Sequence, residues 1–182
     1  MNICEKRVLA LDPATRGCGF AVLEGPERLV DWGVKGNDYR DERQLLRVVG
    51  KLLDDYAPDA VVLEDCTAAS CRRRARARRL IRAISRVAIE RRIAVRMFSR
   101  DHVRSIFSEE TEATKYTIAT TLATRFPELT LRLPPRRRLW MSEDYRMSIF
   151  DAAALGMTSY TTARNRRRVG EAEKPNLPSM SA

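Results

Sequence analysis

Residues 7–24 read RVLALDPATRGCGFAVLE: two apolar runs separated by a polar, glycine-containing link. The first run, Arg7–Leu11, ends on Asp12. The second, Gly19–Glu24, is followed by Gly25-Pro26 and a third strand-like run, Arg28–Lys35 (RLVDWGVK). Glycine and proline mark the turns, and such short separations favour an antiparallel meander.

Working outward, Asp41–Tyr56 is predicted to be helical, because Leu45, Val48, Val49, Leu52 and Leu53 recur at helical spacing and Pro58 follows. Ala60–Glu64 (AVVLE) is a buried-type strand that again ends on a carboxylate. A long helix from about Ser70 to Arg91 and a fifth strand, Ile93–Phe98, come next. Two short helices (Arg100–Phe107 and Thr114–Arg125), a Pro- and Arg-rich loop (Pro127–Met141) and a last helix near Asp144–Thr162 complete the pattern. A meander followed by β-α-β-α-β implies an α/β fold, a mixed five-stranded sheet flanked by helices. Residues 1–162 read as one domain and 163–182 as a disordered polar, basic tail.

The charge balance narrows the partner. There are 34 Lys+Arg against 24 Asp+Glu, a net +10 with an isoelectric point near 10.0. Such an excess suits a polyanion, since phosphates reward Lys and Arg by releasing counterions. The cysteines Cys4, Cys18, Cys66 and Cys71 and the single His102 do not form the paired spacing of a zinc site, and read as free thiols. With no apolar signal core and no candidate membrane span, a cytoplasmic protein with no membrane partner is expected.

Three acidic residues carry the chemistry. Asp12 closes the first strand and Glu64 the fourth; if those strands are parallel neighbours, both emerge at one edge. Asp151 sits in the last helix within Asp-Ala-Ala-Ala, whose small side chains allow close approach to the sheet. Carboxylates at the ends of apolar strands are costly unless compensated. A hard divalent cation is the usual compensation, and Mg²⁺ takes carboxylate oxygens while retaining waters. Two such ions about 4 Å apart would serve phosphodiester cleavage, with Mn²⁺ able to substitute. Taken singly, each residue also has an ordinary reading: a strand-to-turn transition at Asp12-Pro13, a solvent-facing strand end at Glu64-Asp65, an exposed helical position at Asp151.

The ordered set resembles the RuvC family of Holliday junction resolvases, in the ribonuclease H-like superfamily. Residues 11–22 (LDPATRGCGFAV) are similar to the family's opening motif, with Asp12 on the first metal ligand and Arg16 on a recurring arginine. Val61–Glu64 is similar to the second motif, and Ile149–Tyr160 (IFDAAALGMTSY) to the closing helix, with Asp151 on a ligand. Lys115 falls on a lysine that resolvases hold near the DNA and the active site. The resemblance covers about residues 7–162. Four positions depart from it: Ala14, Cys18, Thr67 (where many members carry an aromatic) and Ser148, which replaces an acidic or histidine fourth ligand. Asp144 or Glu143 could substitute for that ligand, Asp144 only if the last helix starts after it. The resemblance implies an endonuclease of branched DNA, most of all four-way junctions, acting in recombination and repair. Its catalytic residues would be Asp12, Glu64, Asp151 and Lys115. Cutting a junction symmetrically implies a homodimer, for which the later turns of the second helix, through Ile89, offer an apolar surface.

Basic segments complete the expectation. Arg72, Arg73, Arg74, Arg76, Arg78 and Arg79 open the long helix, against the preference of its dipole for acidic residues. Phosphate is the natural compensation, and a solvated helix face the ordinary alternative. Arg136, Arg137 and Arg138, beside Trp140 and Tyr145, add charge and aromatic planes. Actin-like ATPases share the fold class but need a second half and a Gly-rich adenosine motif, both absent from these 182 residues. A noncatalytic DNA-binding module of the same fold is the alternative that stands.

Overall fold

Side-chain parity along the central strands divides the core in two. The computed structural model describes residues 7–14, 17–36, 42–69, 71–108, 113–138 and 140–172; Cys4, Arg16, Ser70 and residues 173–182 lie outside them. The strands are β1 (Arg7–Ala14), β2 (Gly17–Glu24), β3 (Leu29–Lys35), β4 (Ala60–Glu64) and β5 (Ala94–Phe98), in the order β3-β2-β1-β4-β5. β1 and β3 pair with β2 antiparallel, whereas β1–β4 and β4–β5 are parallel. The expected mixed five-stranded sheet is the one observed.

On one face, Leu9, Leu11, Phe20, Val22, Val61 and Leu63 pack with buried residues of α1 (Glu42–Tyr56) and α2 (Ala75–Glu90). On the other, Val8, Ala10, Ala21, Leu23, Ala60 and Val62 pack with α4 (Lys115–Arg125) and α5 (Met147–Ala172). Because both faces are covered, the central strands are apolar throughout instead of alternating. Each buried Leu or Val there contributes roughly 1.5–3 kcal/mol. α3 (Arg100–Phe107) and a 3-10 helix (Pro127–Arg132) finish the frame.

α5 lies very close to the sheet. A Cβ on Gly19 would sit 2.1 Å from the Ser148 carbonyl oxygen, and one on Gly156 would sit 2.5 Å from a Leu23 methyl. Glycine at both positions, with Ala152, Ala153 and Ala154 buried between, sets the depth at which Asp151 is presented.

β1 runs on to Ala14, so Asp12 lies within the strand, paired with Gly19, instead of closing it, and the expected Pro127–Met141 loop opens with the 3-10 helix. Three helix boundaries also differ from the sequence reading, each for a local reason. α2 begins at Ala75, not near Ser70, so Arg72, Arg73 and Arg74 precede the helix. The Arg78 guanidinium donates to the carbonyls of Cys71 (3.1 Å) and Arg73 (3.0 Å), which satisfies an extended lead that needs no helical turn. The conflict with the helix dipole is therefore left to the arginines from Arg76 onward. α5 begins at Met147, not Asp144, because the Asp144 carboxylate accepts from the Arg146 backbone N–H at 2.9 Å and closes a turn. At its other end α5 continues past Thr162 to Ala172, since residues 163–169 (ARNRRRV) carry no helix breaker and Gly170 is tolerated near the end, so the first part of the expected disordered tail, 163–172, is helical. Among the described residues, no helix is long and apolar enough to cross a membrane.

Candidate active site

Strand register brings two carboxylates together. Ala10 and Val62 are parallel partners, and both belong to the face covered by α5. Asp12 and Glu64 each lie two residues further along, so alternation returns them to that same face, side by side just past the last β1–β4 pair. Asp151, near the start of α5, comes down on them from above. Asp12 is 2% exposed and Glu64 5%, while the Asp151 side chain is 20% exposed. The three separated segments thus form one acidic centre, graded from buried to open.

The chain supplies its own cations to this centre. The Arg73 guanidinium binds both strand carboxylates: Nη2 contacts Asp12 and lies 2.7 Å from Glu64 Oε2, and Nε donates to that oxygen at 2.7 Å. Its Nη1 donates to the Pro13 carbonyl at 3.2 Å. Arg100 reaches Glu64 Oε2 at 3.5 Å and lies 4.0 Å from Asp151 Oδ2. Lys115 Nζ donates to Asp151 Oδ2 at 2.8 Å and to Glu143 Oε1 at 2.6 Å.

Electrostatics follows burial. Burial pushes the Asp12 carboxyl up to about 6; Arg73 opposes the shift, and Asp151 and Glu64 add to it. For Arg73, burial works against the charge, but Asp12 and Glu64 outweigh it and hold the guanidinium above its ordinary value. The same competition holds Lys115 above its ordinary value, burial being overcome chiefly by Asp151. The neighbouring thiols are no rival nucleophiles. Burial raises Cys18 far above the thiol range, and burial together with the Cys71 thiol pushes Cys66 up to about 12. Cys18, Cys66 and Cys71 are free, as expected for the described cysteines.

Asp12 and Asp151 line an open cleft of about 710 Å³ together with Arg72, Arg74, Arg76 and Tyr145, and Glu64 lies in the adjoining recess that Asp12, Asp151 and Arg73 also line. Of the other arginines singled out in the sequence, Arg79 is exposed on α2 and outside the cleft lining. Arg136–Arg138 are exposed in the loop before α5, where Arg137 Nε donates to the Met141 carbonyl and Arg138 stacks over Trp140 at 5.7 Å. Trp140 is 78% exposed, so it does not pin that loop to the domain. Asp144 lines the cleft but is engaged by Arg146, whose side-chain hydrogen bonds hold the carboxyl below its usual range. Ser148 is buried and donates to the Tyr145 carbonyl at 2.7 Å.

The donor set is chemically suited to a hard divalent cation: carboxylate oxygens only, two of them buried beyond the reach of bulk water. The arrangement, however, is closed. Among the described residues no three His, Cys, Asp or Glu side chains converge as a ligand group, and Arg73 lies across the oxygens of Asp12 and Glu64. A metal would be held by Asp12, Glu64 and Asp151 once that arginine moves.

Two solved structures of one protein are similar to most of this frame. Thermus thermophilus RuvC superposes with a TM-score of 0.64 at 18% identity, over 88% of this chain and 96% of that one. The fold is that of RuvC. The same Thermus RuvC in complex with a Holliday junction substrate gives a TM-score of 0.66 at 19% identity, with 88% and 96% covered. The yeast mitochondrial Holliday junction resolvase Ydc2 gives 0.58 at 11% identity, over 92% of this chain and 84% of that one. The RuvC-like fold is therefore shared with a bacterial and a mitochondrial protein at low sequence identity. No protein-family model and no curated protein sequence matches the chain.

Sequence reasoning missed two things within this frame. Arg100 follows β5, the parallel neighbour of β4, so the strand-end logic that located Glu64 also locates it. Composition places Arg73 among the phosphate-binding arginines; that it precedes the helix, and so can reach over Asp12 and Glu64, depends on Arg78, which no spacing rule reveals.

Proposed function

We propose that the chain is a metal-dependent endonuclease of branched DNA, with four-way junctions as its principal substrate and a homodimer as its working form. The observation that carries this reading is that Asp12, Glu64 and Asp151, from two strands and a helix, line one small recess that opens beside an arginine-rimmed cleft. The Thermus protein of similar fold is seen with a Holliday junction substrate, and we extend that substrate class to this chain.

Asp12, Glu64 and Asp151 would hold Mg²⁺, as two ions, with Mn²⁺ able to substitute. Bound there, the ions supply an activated water and stabilise charge on the leaving oxygen. Lys115, fixed by Asp151 and Glu143, presents an ammonium at the cleft and offsets negative charge on the phosphate under attack. Arg72, Arg74 and Arg76 position the nucleic-acid backbone without reading sequence. Two cuts related by one two-fold axis need two such centres, hence the dimer; Ile89, 63% exposed on α2, lies on a surface open to it.

The second reading, a module that binds branched DNA without cutting it, draws on the closure of the centre by Arg73. A substrate panel separates the two. With Mg²⁺, four-way junctions should be cut into paired nicked duplexes, linear duplex should survive, and Glu64→Gln should bind junctions without cutting them. Tight junction binding with no cleavage in Mg²⁺ or Mn²⁺ would leave only the binding module.

A further inference from the structure

Arg73 does something a phosphate-binding arginine does not: it neutralises two buried carboxylates of the candidate centre. We infer that Arg73 is a resident counter-ion, which keeps Asp12 and Glu64 paired in the metal-free fold and which a divalent cation displaces on binding. The inference rests on the reading that these carboxylates hold a metal, and adds what must leave for the metal to enter.

Geometry sets the two occupants in competition for one oxygen of each carboxylate, Asp12 Oδ1 and Glu64 Oε2. Nε and Nη2 both engage Glu64 Oε2, Nη2 also engages Asp12, and Nη1 closes on the Pro13 carbonyl. A cation ligated by those oxygens would take the space the guanidinium fills. Charge points the same way. Asp12, Glu64, Asp151 and Glu143 already face the cations Arg73, Arg100 and Lys115. Adding divalent cations while keeping all three would turn a nearly balanced cluster strongly positive, around two carboxylates that are themselves buried. A buried carboxylate pair left without any cation is equally unfavourable, so the fold needs one occupant or the other.

Arg73 is also built to leave. It stands in the extended lead before α2, so its departure breaks no helical hydrogen bond. The backbone beneath it stays fixed, because Arg78 grips the carbonyls of Cys71 and Arg73 independently of the Arg73 side chain. Its neighbours Arg72 and Arg74 are exposed at the cleft. Swung outward, the guanidinium joins them.

The test is Mn²⁺ titration by calorimetry on the full chain without DNA, comparing wild type, Arg73→Gln and Glu64→Gln. Removing the competitor should tighten Mn²⁺ binding about tenfold or more, and should make the melting temperature of Arg73→Gln depend on Mn²⁺ more steeply than that of wild type. Equal or weaker binding by Arg73→Gln, with binding abolished in Glu64→Gln, would overturn the counter-ion role and leave the metal centre standing. No Mn²⁺ binding by either wild type or Arg73→Gln would overturn both. Should Arg73→Gln fail to fold, the wild-type protein serves by itself. Its Arg73 Nε–H resonance, protected by Glu64, should shift and lose protection as Mg²⁺ is added. A resonance unmoved while Mg²⁺ saturates the centre would equally reject displacement.

Discussion

The acidic centre and the basic rim of the cleft are built in opposite ways. Asp12 and Glu64 are fixed by parallel register on buried strands, and Asp151 by a helix that glycine and alanine allow against the sheet. Arg72, Arg74 and Arg76 stand on an extended lead and the first turn of α2, and Arg136–Arg138 on a loop; all are exposed. The difference separates two tasks. Under the proposed function, oxygens that bind a metal would have to be held to a fraction of an ångström, which packed elements achieve. Phosphates on a nucleic-acid backbone can be met by cations with many geometries, so the rim needs number and reach, not order.

The comparison can be broken at the rim first. Replacing Arg72, Arg74 and Arg76 together with alanine should weaken junction binding markedly and similarly for all branched DNAs, while leaving the cleavage rate at saturation little changed. Each lost phosphate contact lowers the log–log salt slope by about 0.9, so up to about 2.7 for three. A slope equal to that of wild type would return these arginines to a solvated surface.

A smaller effect sharpens the other side. The Asp12 carboxyl is raised from 3.8 to about 6 in the fold, so the folded state favours its protonated form. Its contribution to stability is complete below about pH 4 and is lost as pH rises through about 6. Glu24, Asp65 and Asp144 are shifted the opposite way, chiefly by side-chain hydrogen bonds from Arg7, Thr67 and Arg146 respectively, and act only at lower pH. With metal chelated, the wild-type melting temperature should therefore fall between pH 4.5 and 6.5 relative to Asp12→Asn. Parallel melting curves for the two proteins over that interval would contradict the burial of a strained carboxyl.

How far the sequence disclosed this arrangement depends on the range of the forces involved. Strand parity is local: Ala10 and Asp12, like Val62 and Glu64, share a face by simple alternation, so the sheet was legible from apolar runs, whereas the carboxylate pair required β1 and β4 to be parallel neighbours, a long-range pairing that the family resemblance implied and alternation does not. The small residues around Asp151 signalled close approach for the same reason. The starts of α2 and α5 were not legible, because each is set by one side chain, Arg78 or Asp144, satisfying backbone groups that a helix would otherwise satisfy. Nor was the closing of Asp12 and Glu64 by Arg73, whose contact with Asp12 spans 61 positions and follows only once the helix start is known.

Anomalous scattering from Mn²⁺ in crystals of the wild-type protein with junction DNA tests the central claim most directly. The account predicts manganese peaks within coordination distance, about 2.0–2.3 Å, of carboxylate oxygens of Asp12, Glu64 and Asp151. Manganese bound elsewhere, with those three carboxylates still paired only to Arg73, Arg100 and Lys115 in a protein that cuts junctions, would contradict it.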